Sequence, residues 1–184
     1  MLVVSHKIVS KAEGRVVRNV EKLDAILGEA RRVVRRRDSF VIAETRHGLV
    51  CASAGVDESN APEPGTLVML PLDPDASAAR LRERLGVAVI ISDSFGRPWR
   101  QGTTDVAIGA AGLATLLDLR GQRDSTGYEL QSTAIAIADE IAGAAELVKG
   151  KTGGVPAAIV RGLSVAGDGT AQDLVMPAER DLFR

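Results

Sequence analysis

The alternation of apolar and polar residues divides the chain into short segments that predict both strands and helices. Apolar runs of roughly four to eight residues between turn-forming residues are typical of strands. Such runs predict strands at residues 2–9, 40–44, 49–53, 66–70 and 155–160. The second and third runs flank a tight turn at His47-Gly48, so we expect them to form a β-hairpin.

Three further segments have their apolar residues at helical spacing. Residues 21–37 predict one long amphipathic helix, because their apolar positions fall on a single helix face. Residues 75–85 predict a short helix with Asp73 or Asp75 as its N-cap. Residues 133–148 are apolar on nearly every side, which predicts a buried helix.

A continuous apolar run at residues 87–91 predicts a strand that is buried on both faces. The polar segment Ser92-Asp93-Ser94-Phe95-Gly96-Arg97 follows at its C-terminal end, where open α/β sheets bind their ligands. Together the segments predict a mixed α/β (α+β) fold over residues 1–184, arranged as a single domain or as two small lobes.

Composition narrows the class of protein. The net charge of −1 argues against a general nucleic-acid-binding protein, which would carry a strong basic excess. No apolar run reaches the ~18 residues that a membrane span needs, and the N-terminus has no signal-peptide pattern. The single cysteine, Cys51, lies in an apolar run that favours core packing over a nucleophilic role. We therefore expect a cytoplasmic protein.

Two polar segments in the first third of the chain have side chains suited to phosphate or metal. Lys7 and Lys11 are four residues apart and could contact neighbouring phosphate oxygens, although exposed lysines are common at strand ends. Asp57-Glu58-Ser59-Asn60 offers the oxygen ligands that Mg²⁺ or Mn²⁺ prefers. An Asx-turn explains the same segment equally well.

Two later segments are also candidates. Asp93 and Ser94 place a carboxylate and a hydroxyl at a strand end, and Arg97 could stabilise phosphate charge. Residues 149–154 contain Gly-Lys-Thr but are not a P-loop, because position 145 is Ala and the segment follows a helix. A glycine-rich nest for an anion and a plain helix C-cap both remain open.

Several motifs occur in a fixed order along the chain. They are Ile8-Val9-Ser10-Lys11-Ala12-Glu13-Gly14-Arg15, Glu44-Thr45-Arg46-His47-Gly48, Ala54-Gly55-Val56-Asp57-Glu58-Ser59-Asn60, Leu72-Asp73-Pro74-Asp75-Ala76-Ser77 and Ser92-Asp93-Ser94-Phe95-Gly96-Arg97-Pro98-Trp99-Arg100. The chain that carries them resembles the coenzyme F420-0:L-glutamate ligase (F420 γ-glutamyl ligase) family. The similarity continues through Ala138-Asp139-Glu140, Glu146-Leu147-Val148 and Asp181-Leu182-Phe183-Arg184, and it covers nearly the whole chain.

The resemblance implies an acid–amino-acid ligase that adds L-glutamate to coenzyme F420-0 through a γ-glutamyl linkage. It implies GTP as co-substrate, Mg²⁺ or Mn²⁺ as cofactor, and K⁺ as a further cation. It also implies a homodimer whose sheets and helices are intertwined, with the nucleotide near the subunit interface.

The resemblance assigns site residues position by position. Asp57, Asp93 and Ser94 would bind metal, Ser94 standing where the family more often has Thr. The nucleotide-binding positions would be His6, Lys7, Lys11, Asn60, Lys149, Gly150, Lys151, Thr152, Gly153 and Gly154. Arg97 is the candidate catalytic residue, stabilising phosphate charge. A charged lysine at position 151 cannot bind a metal, which puts a second metal in doubt.

Two departures from the family pattern keep other functions open. The chain begins almost at the first motif, as an N-terminally shortened member would, and the segment between Val17 and Leu23 is shorter than usual. A nucleotide- and metal-binding relative without ligase activity, a ligase for another carboxylic acid, and a purely structural subunit are therefore the alternatives.

Overall fold

The computed structural model describes residues 1–182, of which helices and strands both make up a large part. The strands are β1 (Leu2–Ser5), β2 (Val16–Arg18), β3 (Ala30–Arg37), β4 (Phe40–Thr45), β5 (Val50–Ala52), β6 (Thr66–Val68), β7 (Val89–Arg97), β8 (Arg100–Ala111), β9 (Leu117–Asp118), β10 (Ala134–Ile135) and β11 (Ala157–Ile159). The helices are α1 (His6–Ala12), α2 (Lys22–Glu29), α3 (Pro74–Leu85) and α4 (Ile137–Lys149). The predicted mixed α and β class is confirmed.

A four-stranded sheet in the order β11-β1-β7-β8 forms the centre of the fold. Strands β1 and β7 are parallel, and the two outer pairings are antiparallel. Because successive side chains in a strand point to opposite faces, Val3 and Ile90 pack against α4 while Val4 and Ile91 pack on the side of α3. The predicted double-sided burial of the 87–91 run is confirmed for Val89, Ile90 and Ile91, which are fully buried, and is wrong for Val87, which is 43% exposed and precedes the strand.

The central strand continues beyond its apolar part, which the sequence pattern did not predict. Residues 92–97 remain within β7, and the chain then returns as β8 at residues 100–111, which overlap the glycine-rich stretch from Gly102 to Gly112. Small residues suit this strand because helices lie close against it. A Cβ atom at Gly109 would lie 2.4 Å from the carbonyl oxygen of Pro74, so a glycine is required for this approach.

Strand β8 lies at the edge of the central sheet, and carboxylates accept hydrogen bonds from three of its backbone N–H groups. Glu146 accepts from Asp105, Asp139 accepts from Ala107 and Asp75 accepts from Ala110, each at 2.8 Å. Asp139 and Glu146 share one face of α4, as their seven-residue separation predicts. Side chains thus satisfy backbone donors that have no partner strand.

The predicted long helix at residues 21–37 is wrong in its second half. Helix α2 ends at Glu29, and residues 30–37 form β3, which pairs with β4 in the sheet β3-β4-β5. Register shifts between Ala30 and Arg32 and between Val33 and Arg35 interrupt the strand. Such bulges break the two-residue alternation of a strand, and the apolar positions then imitate a helical spacing.

Two other predicted segments differ in smaller ways, and a third agrees with its prediction. The predicted strand at residues 2–9 ends at Ser5, where α1 begins. Helix α3 has the predicted cap, because Asp73 accepts a hydrogen bond from the Ala76 N–H. Helix α4 is not buried all round, since Leu147 and Val148 are exposed. In the closing motif, residues 183 and 184 lie outside the described part of the chain.

Candidate active site

Five parts of the chain meet at the carboxyl end of the central parallel strands and form a cleft of about 220 Å³. They are the end of β1 with α1, the middle of β7, the loop at residues 57–60, strand β8, and the end of α4 with the segment that follows it. The lining residues are Ser5, Lys7, Ile8, Lys11, Asn60, Ser92, Asp93, Ser94, Asp105, Glu146, Lys149, Gly150, Lys151, Gly154, Val155 and Pro156. Distant polar segments of the sequence therefore converge on one cleft.

Lys7 connects α1 to the loop at residues 57–60. Its ammonium group donates to Asp57 Oδ2 at 2.5 Å, to Ser59 Oγ at 2.5 Å and to the Ser59 carbonyl oxygen at 2.8 Å. Burial alone would raise the pKa of Asp57, but the hydrogen bonds from Lys7 and Ser59 outweigh it and hold this pKa at about 2. Lys7 thus uses its three donors to organise the loop.

Lys11 lies one helical turn after Lys7, on the same face of α1. Its ammonium group donates to the Asn60 carbonyl oxygen at 3.1 Å, and the Asn60 amide donates to the Lys151 carbonyl oxygen at 3.5 Å. Asn60 has a φ of 53°, a left-handed conformation that asparagine tolerates. The loop consequently spans the cleft from α1 to the segment after α4.

Asp93 lies on β7 with His6 beneath it. The Nε2 atom of His6 is 3.3 Å from Asp93 Oδ1, and this oxygen also accepts a hydrogen bond from the Ser94 N–H. The His6 ring is almost fully buried and does not line the cleft; its Nδ1 atom is 3.2 Å from Ser10 Oγ, and its Nε2 atom faces Asp93. Nearby, burial and then the charge of Asp93 raise the pKa of the Cys51 thiol to about 12. Cys51 is only 7% exposed and belongs to the buried apolar core, which confirms its predicted packing role.

A buried ion pair lies behind Ser94. Lys149 Nζ is 2.7 Å from Asp105 Oδ2, and both side chains are more than nine-tenths buried. Asp105 also accepts hydrogen bonds from the hydroxyl groups of Ser92 and Ser94. Burial alone would raise the pKa of Asp105, but these hydrogen bonds and the Lys149 charge lower it below its usual range.

Lys151 reaches the cleft from the segment after α4. Its ammonium group contacts the hydroxyl of Ser94, which is also 3.4 Å from Glu146 Oε1. Because the Lys149 ammonium group is buried in the ion pair, Lys11 and Lys151 are the more accessible lysines of the cleft. A cleft with two such lysines, backbone glycines and a carboxylate can hold a phosphate-bearing ligand.

The structure brings most of the sequence-predicted residues together and leaves some apart. Arg97 lies at the exposed tip of the β7–β8 hairpin, outside the cleft lining, and donates to the Gln101 carbonyl oxygen at 3.4 Å. Thr152 and Gly153 are exposed and do not line the cleft either. The geometry therefore adds no support to the predicted catalytic role of Arg97, which stays a prediction.

Sequence reasoning did not assign Ser92, Asp105 or Glu146 to the site. Asp105 lies within the glycine-rich residues that had no predicted strand, and only the pairing of β8 with β7 places it behind Ser94. For Glu146 the sequence did give a signal, because its separation from Asp139 indicates one helix face. Nothing in the sequence indicated what that face would contact.

The oxygen atoms of the cleft fit a metal ion that is bound together with phosphate. Within residues 1–182, no three His, Cys, Asp or Glu side chains are arranged to hold a metal ion by themselves. Mg²⁺ is commonly bound by one or two carboxylates together with substrate phosphates and water, without an all-protein cage. Asp93 and Ser94 line the cleft and supply ligands of that kind, whereas Asp57 is paired with Lys7.

Comparison with known proteins gives the family. Residues 17–162 match the family model described as F420-0:Gamma-glutamyl ligase. The chain belongs to the F420-0:γ-glutamyl ligase family. The F420:L-glutamate ligase of Methanothermobacter thermautotrophicus is 42% identical over 100% of this chain and 84% of its own length. That of Methanopyrus kandleri is 43% identical, covering 100% of this chain and 85% of the relative.

A third member of the F420-0:γ-glutamyl ligase family, from Methanocaldococcus jannaschii, is 38% identical over 100% of this chain and 84% of its own length. The alignment with the Methanothermobacter enzyme extends over 213 positions, against the 184 residues of this chain. That ligase therefore has segments for which this chain has no counterpart. Within residues 1–182, no helix is both long and apolar enough to cross a lipid bilayer.

Proposed function

We propose that the chain is a GTP-dependent ligase that joins L-glutamate to coenzyme F420-0 through a γ-glutamyl linkage. The observation that carries the proposal is the cleft at the end of β1 and β7, which is lined by Lys11, Lys151, Asp93 and Ser94 among other polar residues. The proposal is also supported by the sequence, because the whole of this chain is similar to proteins named as coenzyme F420:L-glutamate ligases. A ligase driven by a nucleotide needs positive charge and metal-binding oxygen atoms beside the phosphates, and the side chains of the cleft offer both.

The reaction has two steps. An unactivated carboxylate is not attacked by an amine, because its oxygen is a poor leaving group. In the first step a carboxylate oxygen of F420-0 attacks the γ-phosphorus of GTP, forming an acyl phosphate and releasing GDP. In the second step the amine of glutamate attacks the acyl carbon, phosphate leaves, and the amine gives up a proton. The protein mainly positions the reactants and stabilises their negative charge.

The residues of the cleft have separate roles in this proposal. Asp93 and Ser94 hold Mg²⁺ or Mn²⁺, which supplies a charge that neutralises the phosphates. Lys11 and Lys151 neutralise further phosphate charge as point charges. Lys7 and Asn60 act through the loop at residues 57–60, and His6 supports Asp93 from the buried side, with its Nε2 atom 3.3 Å from the carboxylate. K⁺ and the homodimer remain expectations from the family.

The decisive experiment is an assay with the purified chain, GTP, Mn²⁺, L-glutamate and F420-0. We expect a glutamylated product by mass spectrometry, with GDP and phosphate formed in equal amounts. Asp93→Asn should reduce product formation by about 100-fold or more, since a bound metal ion contributes several kcal/mol of charge stabilisation. Asp139→Asn is the matched control, because this carboxylate contacts the same sheet but lies outside the cleft.

Three results would contradict the proposal, each in its own way. GTP binding without any glutamylated product would indicate a nucleotide-binding relative that lacks ligase activity. Phosphate release that requires a different carboxylic acid would indicate a ligase with another acceptor. No binding of GTP by the wild-type chain, and no difference in Asp93→Asn, would indicate a structural role.

A further inference from the structure

Three buried polar side chains form a closed arrangement in the wall of the cleft. Lys149 Nζ donates to Ser92 Oγ at 2.6 Å and to Asp105 Oδ2 at 2.7 Å, and Ser92 Oγ donates to the same Asp105 oxygen at 2.8 Å. All three side chains are more than nine-tenths buried. An ammonium group can only donate hydrogen bonds and an ionised carboxylate can only accept them. Lys149 therefore fixes one oxygen of Asp105 as an acceptor.

The second oxygen of Asp105 faces Ser94. The Ser94 hydroxyl has one hydrogen to donate, and both acceptors within its reach are carboxylates, Asp105 Oδ1 and, at 3.4 Å, Glu146 Oε1. Its hydrogen is therefore directed into the protein, and its lone pairs are left for other partners. The ammonium group of Lys151, a cation, is the donor that contacts this oxygen in the structure.

We propose that Asp105 and Lys149 are positioning residues that hold the Ser94 hydroxyl as an acceptor for a cation in the cleft. This inference rests on the proposed function, in which that cation is the divalent metal bound by Asp93 and Ser94. Lys149 thus acts two contacts away from the metal, through Asp105, and does not bind nucleotide directly. The ion pair also compensates a carboxylate that would be costly to bury alone.

The substitution Asp105→Asn tests the inference because it reverses the hydrogen bond to Ser94. The Lys149 ammonium group retains the amide oxygen at position 105, so the amide NH₂ turns toward Ser94 and donates to its oxygen. The donated hydrogen bond then occupies a lone pair that the cation needs. We expect Mn²⁺ binding, followed by electron paramagnetic resonance of the free ion, to weaken by about 10- to 100-fold.

A second substitution separates this effect from a loss of stability. In the double variant Asp105→Asn/Lys149→Met, the amide is free to turn its oxygen toward Ser94 and its NH₂ toward Ser92. The double variant should therefore recover most of the Mn²⁺ affinity that the single variant loses. Combining Asp105→Asn with Ser94→Ala should cost no more affinity than Ser94→Ala alone. Asp139→Asn, whose carboxylate contacts β8 outside the cleft, should leave the affinity unchanged.

The outcomes distinguish this inference from the proposed function. A wild-type chain that binds Mn²⁺ with the same affinity as Asp105→Asn would overturn the positioning role and leave the ligase proposal standing. A wild-type chain that binds neither Mn²⁺ nor GTP would overturn both. A crystal structure of the wild-type chain with Mn²⁺ tests the inference even if the variants do not fold. A direct bond from Mn²⁺ to Ser94 Oγ is expected, and a direct bond to Asp105 instead would overturn the positioning role.

Discussion

At the scale of single residues, the contact between Lys7 and Asp57 shows how charge organises the candidate site. The ammonium group of Lys7 makes three hydrogen bonds to Asp57 and Ser59, and the side chain of Lys7 is mostly buried while that of Asp57 is about half exposed. A buried lysine needs partners, because removing its charge from water is costly. The loop at residues 57–60 supplies those partners and is thereby fixed beside the cleft.

The lowered pKa of Asp57 predicts a specific pH dependence of stability. Its pKa falls from 3.8 to about 2 on folding, so the charged form stabilises the folded state above pH 3.8. This contribution is lost as the pH falls through about 2. Asp57→Asn should therefore lower the melting temperature at neutral pH, and the gap to wild type should close near pH 2. The effect is modest because solvent screens a half-exposed pair.

Thermal unfolding in the presence of a metal chelator measures this effect without any contribution from bound metal. Asparagine at position 57 can still accept the hydrogen bond from the Ser59 N–H, so the loop keeps its local turn. A gap in melting temperature that stays constant from neutral pH to pH 2 would contradict the role assigned to this ion pair.

At the residue scale, the sequence predicted those lining residues of the cleft that lie in short polar motifs. It missed the residue that only the pairing of two strands brings to the cleft. Lys11, Asn60, Asp93 and Ser94 were each predicted and do line the cleft. Asp105 could not be found in this way, because its contact with Ser94 depends on the register of β7 and β8. Register is set by tertiary packing as well as by local pattern.

At the scale of elements, the close approach of α3 to β8 depends on glycine. A Cβ atom at Gly109 would lie 2.4 Å from the Pro74 carbonyl oxygen, which is backbone and cannot rotate away. Strand and helix would have to separate. Gly96, on the neighbouring strand of the same hairpin, has no atom within 4 Å of such a Cβ. The same substitution at Gly96 is therefore a suitable control for a substitution at Gly109.

We expect Gly109→Ala to reduce the free energy of unfolding by about 1–3 kcal/mol, the usual cost of overpacking a core. Gly96→Ala should leave the free energy of unfolding unchanged or slightly higher, because alanine lowers the entropy of the unfolded chain. Urea denaturation of both variants gives the comparison. Equal stability of the two variants would argue against a tight contact between α3 and β8.

The predicted helix over residues 21–37 is wrong in its second half because of how two elements pair. Helix propensity and the spacing of Leu23, Ile26 and Leu27 favour the helix that does form. Beyond Glu29, hydrogen bonds from β3 to β4 replace those of a helix, and two bulges conceal the strand pattern. Pairing with the next strand, through the turn at residues 38–39, decides the structure here, and the apolar spacing within residues 21–37 does not reveal that pairing.

At the scale of the whole molecule, large apolar side chains remain exposed. Leu147 and Val148, on the last turn of α4, are 88% and 73% exposed, and Trp99 at the tip of the β7–β8 hairpin is 83% exposed. Leu147 and Val148 are consecutive residues, and contiguous exposed apolar residues are typical of surfaces that contact another protein. Together with the family resemblance, they favour the predicted homodimer.

Light scattering after size-exclusion chromatography tests this expectation directly. We expect a mass twice the 19.3 kDa of the chain, and Leu147→Ser/Val148→Ser should shift the population toward the single chain. Leu85→Ser, at the end of α3, is the control for a polar substitution at another exposed leucine. A wild-type mass of one chain at micromolar concentrations would exclude a stable homodimer.

The carboxylates along β8 have a consequence for self-association as well. Free N–H groups at a sheet edge are the template on which a foreign strand adds, and fibrils grow from such edges. Asp75, Asp139 and Glu146 occupy three of these groups, so an incoming strand would first have to displace a charged side chain. Burial raises the pKa of Asp139, so its charge is lost at a higher pH than that of an ordinary aspartate. Acid would therefore weaken the charged barrier to polymerisation first at Ala107.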